Sequence, residues 1–422
     1  MNALVHRVTP LSVLKRRALG LERGLGRPFA SLMPETVPDP VLPGPDWVLL
    51  RPVLAGICGS DLAALRGTSH PLMAAFTSFP SVPGHEIVGR VVEAGAASGA
   101  QVGDIATVDP SISCFVRGVP PCPRCAQGKM NLCERAATRD GGLAPGMMVG
   151  FHRDLTGGFS EVMRVHSSQL HRPLEEDGRQ SLSPQVLALT EPLSVALHAV
   201  LAADLTGSER ILVIGGGTIG LGTVWALTEL GMRPPVVAVR HASQVEAAER
   251  LGAVRAIRVR RDEGHGDLIR RVGGAKPVKA PFGRTIWVGG FDVVFDAVGS
   301  AESYAESLEA VHADGQVVRV GETGLVGGPR PSPIWAPDVR VVFPFTYGLE
   351  HRAPKASEEG RHTFDLVLAR LANRQEELSR LVTHGFLLSE YAEALRTLGH
   401  RSGSGAIKVV LMPNGPVPFH DL

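Results

Sequence analysis

The sequence predicts an α/β protein of two domains, a β-rich one followed by a doubly wound parallel sheet with helices on its faces. Three observations carry this reading. The chain has 422 residues, more than one ordinary core organises. Up to about Val165, short apolar runs broken by glycine and proline ("DWVLLRPVLAGI", "HEIVGRVVEAG", "GDIATV") have the texture of strands and turns. From about Leu201, strand-like runs alternate with helical ones ("RILVIGGG", "AERLGA", "FDVVFDAVGS", "GQVVRVGE"), the pattern of a parallel sheet with crossover helices. The tail from about Gly348 returns to helix and then to "SGAIKVVLMP", a strand able to rejoin the first domain. The expected division is 1–200 completed by 349–422, with 201–348 as the second domain.

Composition excludes several classes of partner. Forty-three lysines and arginines balance 42 aspartates and glutamates, so no overall field steers the chain to nucleic acid. Five cysteines are too few for a secreted disulfide scaffold, and "MNALVHRVTP" lacks the regions of a signal peptide; a cytoplasmic protein is expected. The most apolar run, "VLALTEPLSVALHAVLAA", is interrupted by Glu191 and Pro192 and reads as a buried helix, with no membrane partner. The basic run "LKRRALGLERGLGRPFASL" follows a strand-like "NALVHRV" and reads as an inserted surface segment.

The second domain opens on "RILVIGGGTIGLG". Gly215, Gly217 and Gly220 form G-x-G-x-x-G between a strand and a helix, flanking Thr218 and Ile219. The first glycine permits a tight turn, the second a close approach to a pyrophosphate, and the third close packing of helix on strand. The helix N-terminus then offers free N–H groups to the phosphates. A strand that holds the ribose of NAD ends in an acid, but "PPVVAVRH" ends in Arg240, followed by His241. A cation pairs with the 2′-phosphate of NADP, so NADP(H) is expected over NAD(H).

The first domain supplies Cys58 in "GICGSD" and His85 and Glu86 in "PGHEIVG"; further on, Glu191 stands among leucine, valine and alanine. A carboxylate in such surroundings is protonated, paired or metal-bound. A thiolate, an imidazole and a carboxylate suit a zinc with one open position. Spacing alone does not bring them together.

Taken in order along nearly the whole chain, "GICGSD", "PGHEIVG", "EPLSVALHA", the "GGGTIG" turn and "FDVVFDAVGS" resemble the zinc-dependent medium-chain dehydrogenases, which include alcohol, sorbitol and threonine dehydrogenases. The resemblance implies a GroES-like zinc-carrying domain, a Rossmann domain for NAD(P)(H), and hydride transfer between the cofactor and an alcohol or carbonyl compound. It implies Cys58, His85 and Glu191 as zinc ligands and Glu86 as an exchanging one. Asp61 then orients the other nitrogen of His85, and Ser60 contacts the substrate oxygen and begins a proton relay. Relatives carry a relay histidine soon after "GSD", where this chain has alanines at 63 and 64, and His70 reads as a surface residue. A zinc-independent reductase of an activated C=C or C=N bond and a non-catalytic nucleotide-binding protein are the alternatives. A homodimer or homotetramer is expected, assembled through the sheet edge near "DVRVVFPFTYG".

The same family carries a structural zinc on C-x2-C-x2-C-x7-C. Cys122, Cys125 and Cys133 match the last three positions, and Val119 occupies the first. Cys114 is the nearby replacement if "FVRGVPP" loops outward. Four-thiolate zinc binding is expected, against a lobe that has lost its metal, and a disulfide is disfavoured in a reducing compartment.

Overall fold

The computed structural model describes residues 1–8, 31–173, 182–259, 265–279, 285–321, 338–350 and 360–418. The basic run at 16–27 lies outside the described residues. In chain order the first region forms β1 (Asn2–His6), β2 (Leu32–Thr36), β3 (Trp47–Gly56), α1 (Gly59–Arg66), β4 (Glu86–Ala94), β5 (Ile105–Val108), β6 (Met163–His166) and β7 (Leu170–His171). The middle region forms α2 (Thr190–Ala202), β8 (Ile211–Ile214), α3 (Thr218–Glu229), β9 (Val236–Val239), α4 (Ala242–Arg250), β10 (Arg255–Arg258), β11 (Lys276–Lys279), β12 (Thr285–Val288), β13 (Phe291–Asp296), α5 (Ala301–Ala310), β14 (Val311–Arg319) and β15 (Arg340–Val342). The last region forms α6 (Thr363–Leu371), β16 (Val382–Leu387), α7 (Tyr391–Gly399), α8 (Arg401–Ser404) and β17 (Lys408–Met412).

The contacts divide the chain into one unit of 1–191, 347–349 and 361–422 and another of 192–346 and 350–360. The boundary falls inside α2, between Glu191 and Pro192. In the first unit the strands run β16-β17-β3-β4-β5-β7, with β6 also on β3, and all but the β16–β17 pairing are antiparallel. Inward residues of β3, β4 and β5, including Val48, Leu50, Ile87, Val91 and Val108, form one core with Val149, Leu155 and Met163. Each such aliphatic side chain contributes about 1.5–3 kcal/mol by leaving water.

Three pairings place the chemistry. Gly56, the last residue of β3, lies opposite Glu86, the first of β4, so Cys58 and His85 sit just beyond the same end of two paired strands. Strand β17 pairs with β3 through Val410 opposite Gly56, and the Ile57 N–H donates to the Val409 carbonyl at 2.9 Å. The tail thus brings Lys408 to the same end.

The second unit holds a six-stranded parallel sheet, β10-β9-β8-β13-β14-β15. Strands β8 and β9 read as unbroken apolar runs because both faces of the sheet are covered. Strands β11 and β12 form a separate antiparallel pair within "GGAKPVKAPFGRTIWVGG". Strand β15 ends the sheet, followed by exposed Phe343 and Phe345. Among the described residues no helix is long and apolar enough to cross a membrane.

Candidate metal and dinucleotide centre

Cys58 is the N-cap of α1, and its N–H donates to Asp61 Oδ2 at 2.9 Å, which fixes the first turn. Ligand atoms of Cys58, His85 and Glu86 all lie within 4.8 Å of one another. His85 Nδ1 faces Asp61 Oδ1 at 3.4 Å, and Ser60 Oγ is 3.5 Å from His85 Nε2. Both aspartate and imidazole are buried. Burial pushes the imidazole pKa down, but the charges and hydrogen bonds of Asp61 and Cys58 outweigh it and hold His85 well above its ordinary value. A field that favours a proton on His85 equally favours a metal cation there.

Glu86 is tied elsewhere. Lys408 Nζ donates to Glu86 Oε1 at 2.6 Å and also to Oε2, with both side chains buried. Gly56 makes this possible, since a Cβ there would stand 1.9 Å from Glu86 Oε2. Glu191 lies outside the three-residue group but in its field. Burial pushes its carboxyl up to about 7; Glu86 adds to the rise, and His85 and Lys408 oppose it. Tyr347, a fully buried residue, lies in the same field, and burial with the nearby Glu191 and Asp109 charges pushes its hydroxyl well above its ordinary value. The donor set of thiol, imidazole and carboxylate fits zinc.

The four sulfurs of Cys114, Cys122, Cys125 and Cys133 also lie within 4.8 Å of one another, all buried. The turn after Cys114 returns the chain: the Val119 N–H donates to the Cys114 carbonyl at 3.1 Å, and the Cys122 N–H to Cys114 Sγ at 3.3 Å. Val119 packs beside the sulfurs. Arg117, buried in that turn, donates to the carbonyls of Ala144 at 3.2 Å and Gly146 at 2.8 Å. Burial pushes Cys133 up to about 11 and Cys125 higher still, with neighbouring cysteines contributing. Burial also opposes ionisation of Cys122, but the amides of Cys125, Glu134 and Arg124 outweigh it and hold that thiol at about 6. Crowded buried thiols of this kind suit a metal that takes their protons.

In the second unit Gly215 has φ +113° and Gly217 caps α3. A Cβ on Gly220 would stand 2.0 Å from the Gly215 carbonyl oxygen, so only glycine lets α3 start this close to β8. Thr218 and Ile219 form its first turn, where N–H groups lack intrahelical partners. The cradle fits a pyrophosphate. Arg240 is exposed at the end of β9, and His241 caps α4. Arg258 on β10 stands beside Arg240, its Nε donating to the Arg240 carbonyl at 3.4 Å.

His70 accepts from the Leu72 N–H at 3.2 Å and caps a 3-10 turn. A further cluster brings together Asp109, His171 and His362: His362 Nε2 faces Asp109 at 3.4 Å, and His171 Nδ1 meets Asp365, outside the cluster, at 2.8 Å. Sequence reasoning singled out neither this cluster nor Lys408 and Tyr347. For Lys408 the available signal was a lysine inside the apolar "AIKVVLM".

Residues 44–175 match the alcohol dehydrogenase GroES-like domain, and residues 218–359 match the zinc-binding dehydrogenase domain. The (R,R)-butanediol dehydrogenase of Saccharomyces cerevisiae is 30% identical over 325 residues, covering 72% of this chain and 76% of its own. L-galactonate-5-dehydrogenase of Escherichia coli is 33% identical over 211 residues, 50% of this chain and 54% of its own. The chain spans about half the length of the curated relatives it matches at more than 30% identity. A Sinorhizobium meliloti structure described as a zinc-binding dehydrogenase bound to NADP superposes with a TM-score of 0.69 at 26% identity, covering 98% of this chain and 99% of that one. With both domains matched in order and a relative covered over three-quarters of its length, the chain belongs to the zinc-dependent medium-chain dehydrogenase family.

Proposed function

We propose that the protein is an NAD(P)(H)-linked oxidoreductase of small alcohols and carbonyl compounds, with zinc held by Cys58, His85 and Glu191. The observation that carries the reading is the meeting of Cys58, His85 and Glu86 at one sheet end, with buried Glu191 in their field. When bound, zinc supplies Lewis acidity to a substrate oxygen and the nicotinamide accepts or releases hydride.

The chain's own residues do the rest. Asp61 orients the His85 ring and Cys58 together, through one oxygen each. Lys408 keeps Glu86 turned to itself, which leaves Glu86 an occasional ligand. Ser60, exposed and beside His85, takes the proton at the substrate oxygen and hands it on. With alanines at 63 and 64 and His70 engaged as a cap, solvent water completes that transfer.

Cys114, Cys122, Cys125 and Cys133 hold a second, structural zinc in this reading. Gly215, Gly217, Thr218, Ile219 and Gly220 receive the pyrophosphate. Arg240, with His241 beside it, favours NADP(H), since a guanidinium offers no acceptor to the ribose hydroxyls and Arg258 adds a second cation nearby. The enzyme works in the cytoplasm as a homodimer or homotetramer assembled through the β15 edge, whose exposed Phe343 and Phe345 gain cover there.

Steady-state oxidation of 2,3-butanediol with NADP⁺ and NAD⁺ tests the proposal. The expected result is turnover with both, more efficient with NADP⁺, and abolished by Cys58→Ser. No turnover of any alcohol or carbonyl compound by zinc-loaded protein would sink it.

A further inference from the structure

The group of Asp109, His171 and His362 belongs to neither zinc centre, and its polar atoms do not balance. Asp109 directly follows β5, His171 ends β7, which pairs with β5, and His362 caps α6 in the returning tail. Ligand atoms of the three lie within 4.8 Å of one another. His171 Nδ1 meets the Asp365 carboxylate at 2.8 Å, which fixes the proton on that nitrogen and leaves a lone pair on Nε2. That Nε2 is buried and has no hydrogen-bond partner among the described residues. Asp109, itself buried, takes the Ser111 N–H on Oδ1 at 2.8 Å, while its Oδ2 faces His362 Nε2 at 3.4 Å, long for a hydrogen bond.

A buried lone pair beside a buried carboxylate sets acceptor against acceptor, which is costly out of water unless a cation joins them. Asp365 behind the far nitrogen gives His171 the orientation and basicity of a metal-ligating imidazole. We infer that Asp109, His171 through Nε2 and His362 form a third metal site, for a divalent cation of the zinc class. To become a ligand, His362 moves its Nε2 proton to Nδ1 and gives up the 3.3 Å bond it accepts there from the Phe364 N–H. That loss, and three protein ligands in place of four, make this an exchanging site that releases its metal during purification. The cation clips the tail to the antiparallel sheet: two ligands come from the β5–β7 pair and the third from the start of α6. The stacked rings of His171 and His362, with centroids 4.6 Å apart, already hold the two sides together. The site stands whether or not the hydride-transfer reading does.

Co²⁺ added to the zinc-loaded full chain tests this, because cobalt on nitrogen and oxygen shows d–d absorption without the sulfur-to-cobalt charge-transfer band that a cysteine-containing centre gives. Calorimetry and absorption should together count one further Co²⁺ per chain of the sulfur-free kind, and the Tm should rise with Co²⁺ concentration. His171→Gln should weaken that binding about a hundredfold or more and remove the Tm rise, with zinc content and turnover unchanged. Asp365→Asn keeps all three ligands and should weaken binding about ten- to a hundredfold, the range for a carboxylate lost from behind a ligating histidine. An Asp365 with a purely structural role would lower the Tm and leave cobalt affinity alone. No cobalt bound outside the sulfur centres overturns the inference, as does sulfur-free binding of equal affinity in His171→Gln. If His171→Gln fails to fold, Asp365→Asn decides, and unchanged affinity there overturns the inference too.

Discussion

At the scale of single residues, the pair of Glu86 and Lys408 makes the sharpest stability claim. Both charges are buried, and each is the other's partner. Lys408→Met leaves a carboxylate buried and uncompensated, and should destabilise the protein by about 3–5 kcal/mol in denaturant titration. Adding Glu86→Gln should recover most of that loss; a double variant as unstable as the single one would show that Lys408 acts through packing. Arg240→Asp should invert cofactor preference, since a carboxylate accepts from ribose hydroxyls and repels a 2′-phosphate. The ratio of kcat/KM for NADPH over NADH reads this directly. Cys58, His85 and Glu191 stand out in the sequence because each lies in a distinctive local motif. Lys408 does not, because it owes its position to β17 pairing with β3 across some 350 residues of chain, and nothing local announces that pairing.

At the scale of elements, the cysteine lobe and the start of the parallel sheet can each be perturbed alone. Three cysteines of the lobe were legible from spacing. The fourth depends on a turn over Phe115–Val119 that returns Cys114, and no spacing rule foretells such a turn. Cys114→Ser should lower zinc by one per chain while leaving NADP(H) binding to the other unit intact, as measured by elemental analysis alongside calorimetry. At the start of β8 and β13, Arg210 donates to Asp292 through its backbone N–H at 2.5 Å and its Nη2 at 3.0 Å, and His312 meets the same carboxylate at 2.7 Å. Burial opposes ionisation there, but these partners outweigh it and hold the Asp292 carboxyl at about 2. A depressed folded-state value stabilises the fold above the unfolded pKa of about 4, and the gain is lost as pH falls through 2. With Arg210 partly in solvent, Asp292→Asn should cost about 1–2 kcal/mol near pH 7. That cost should shrink toward zero in acid.

At the scale of the whole molecule, fold class was readable from texture alone: apolar runs broken by glycine and proline for the antiparallel sheet, alternation with helices for the parallel one. The division between the units at Glu191 was less readable, because α2 runs through it without a proline- or glycine-rich linker to mark a change. The four cysteines, the Cys58–His85 corner and the glycine turn at Gly215 make one connected claim, a dehydrogenase built around two zincs and a nicotinamide cofactor. Zinc per chain, by elemental analysis of the full-length protein purified without chelator, tests it most directly. The account predicts two; a chain that carries none would contradict it.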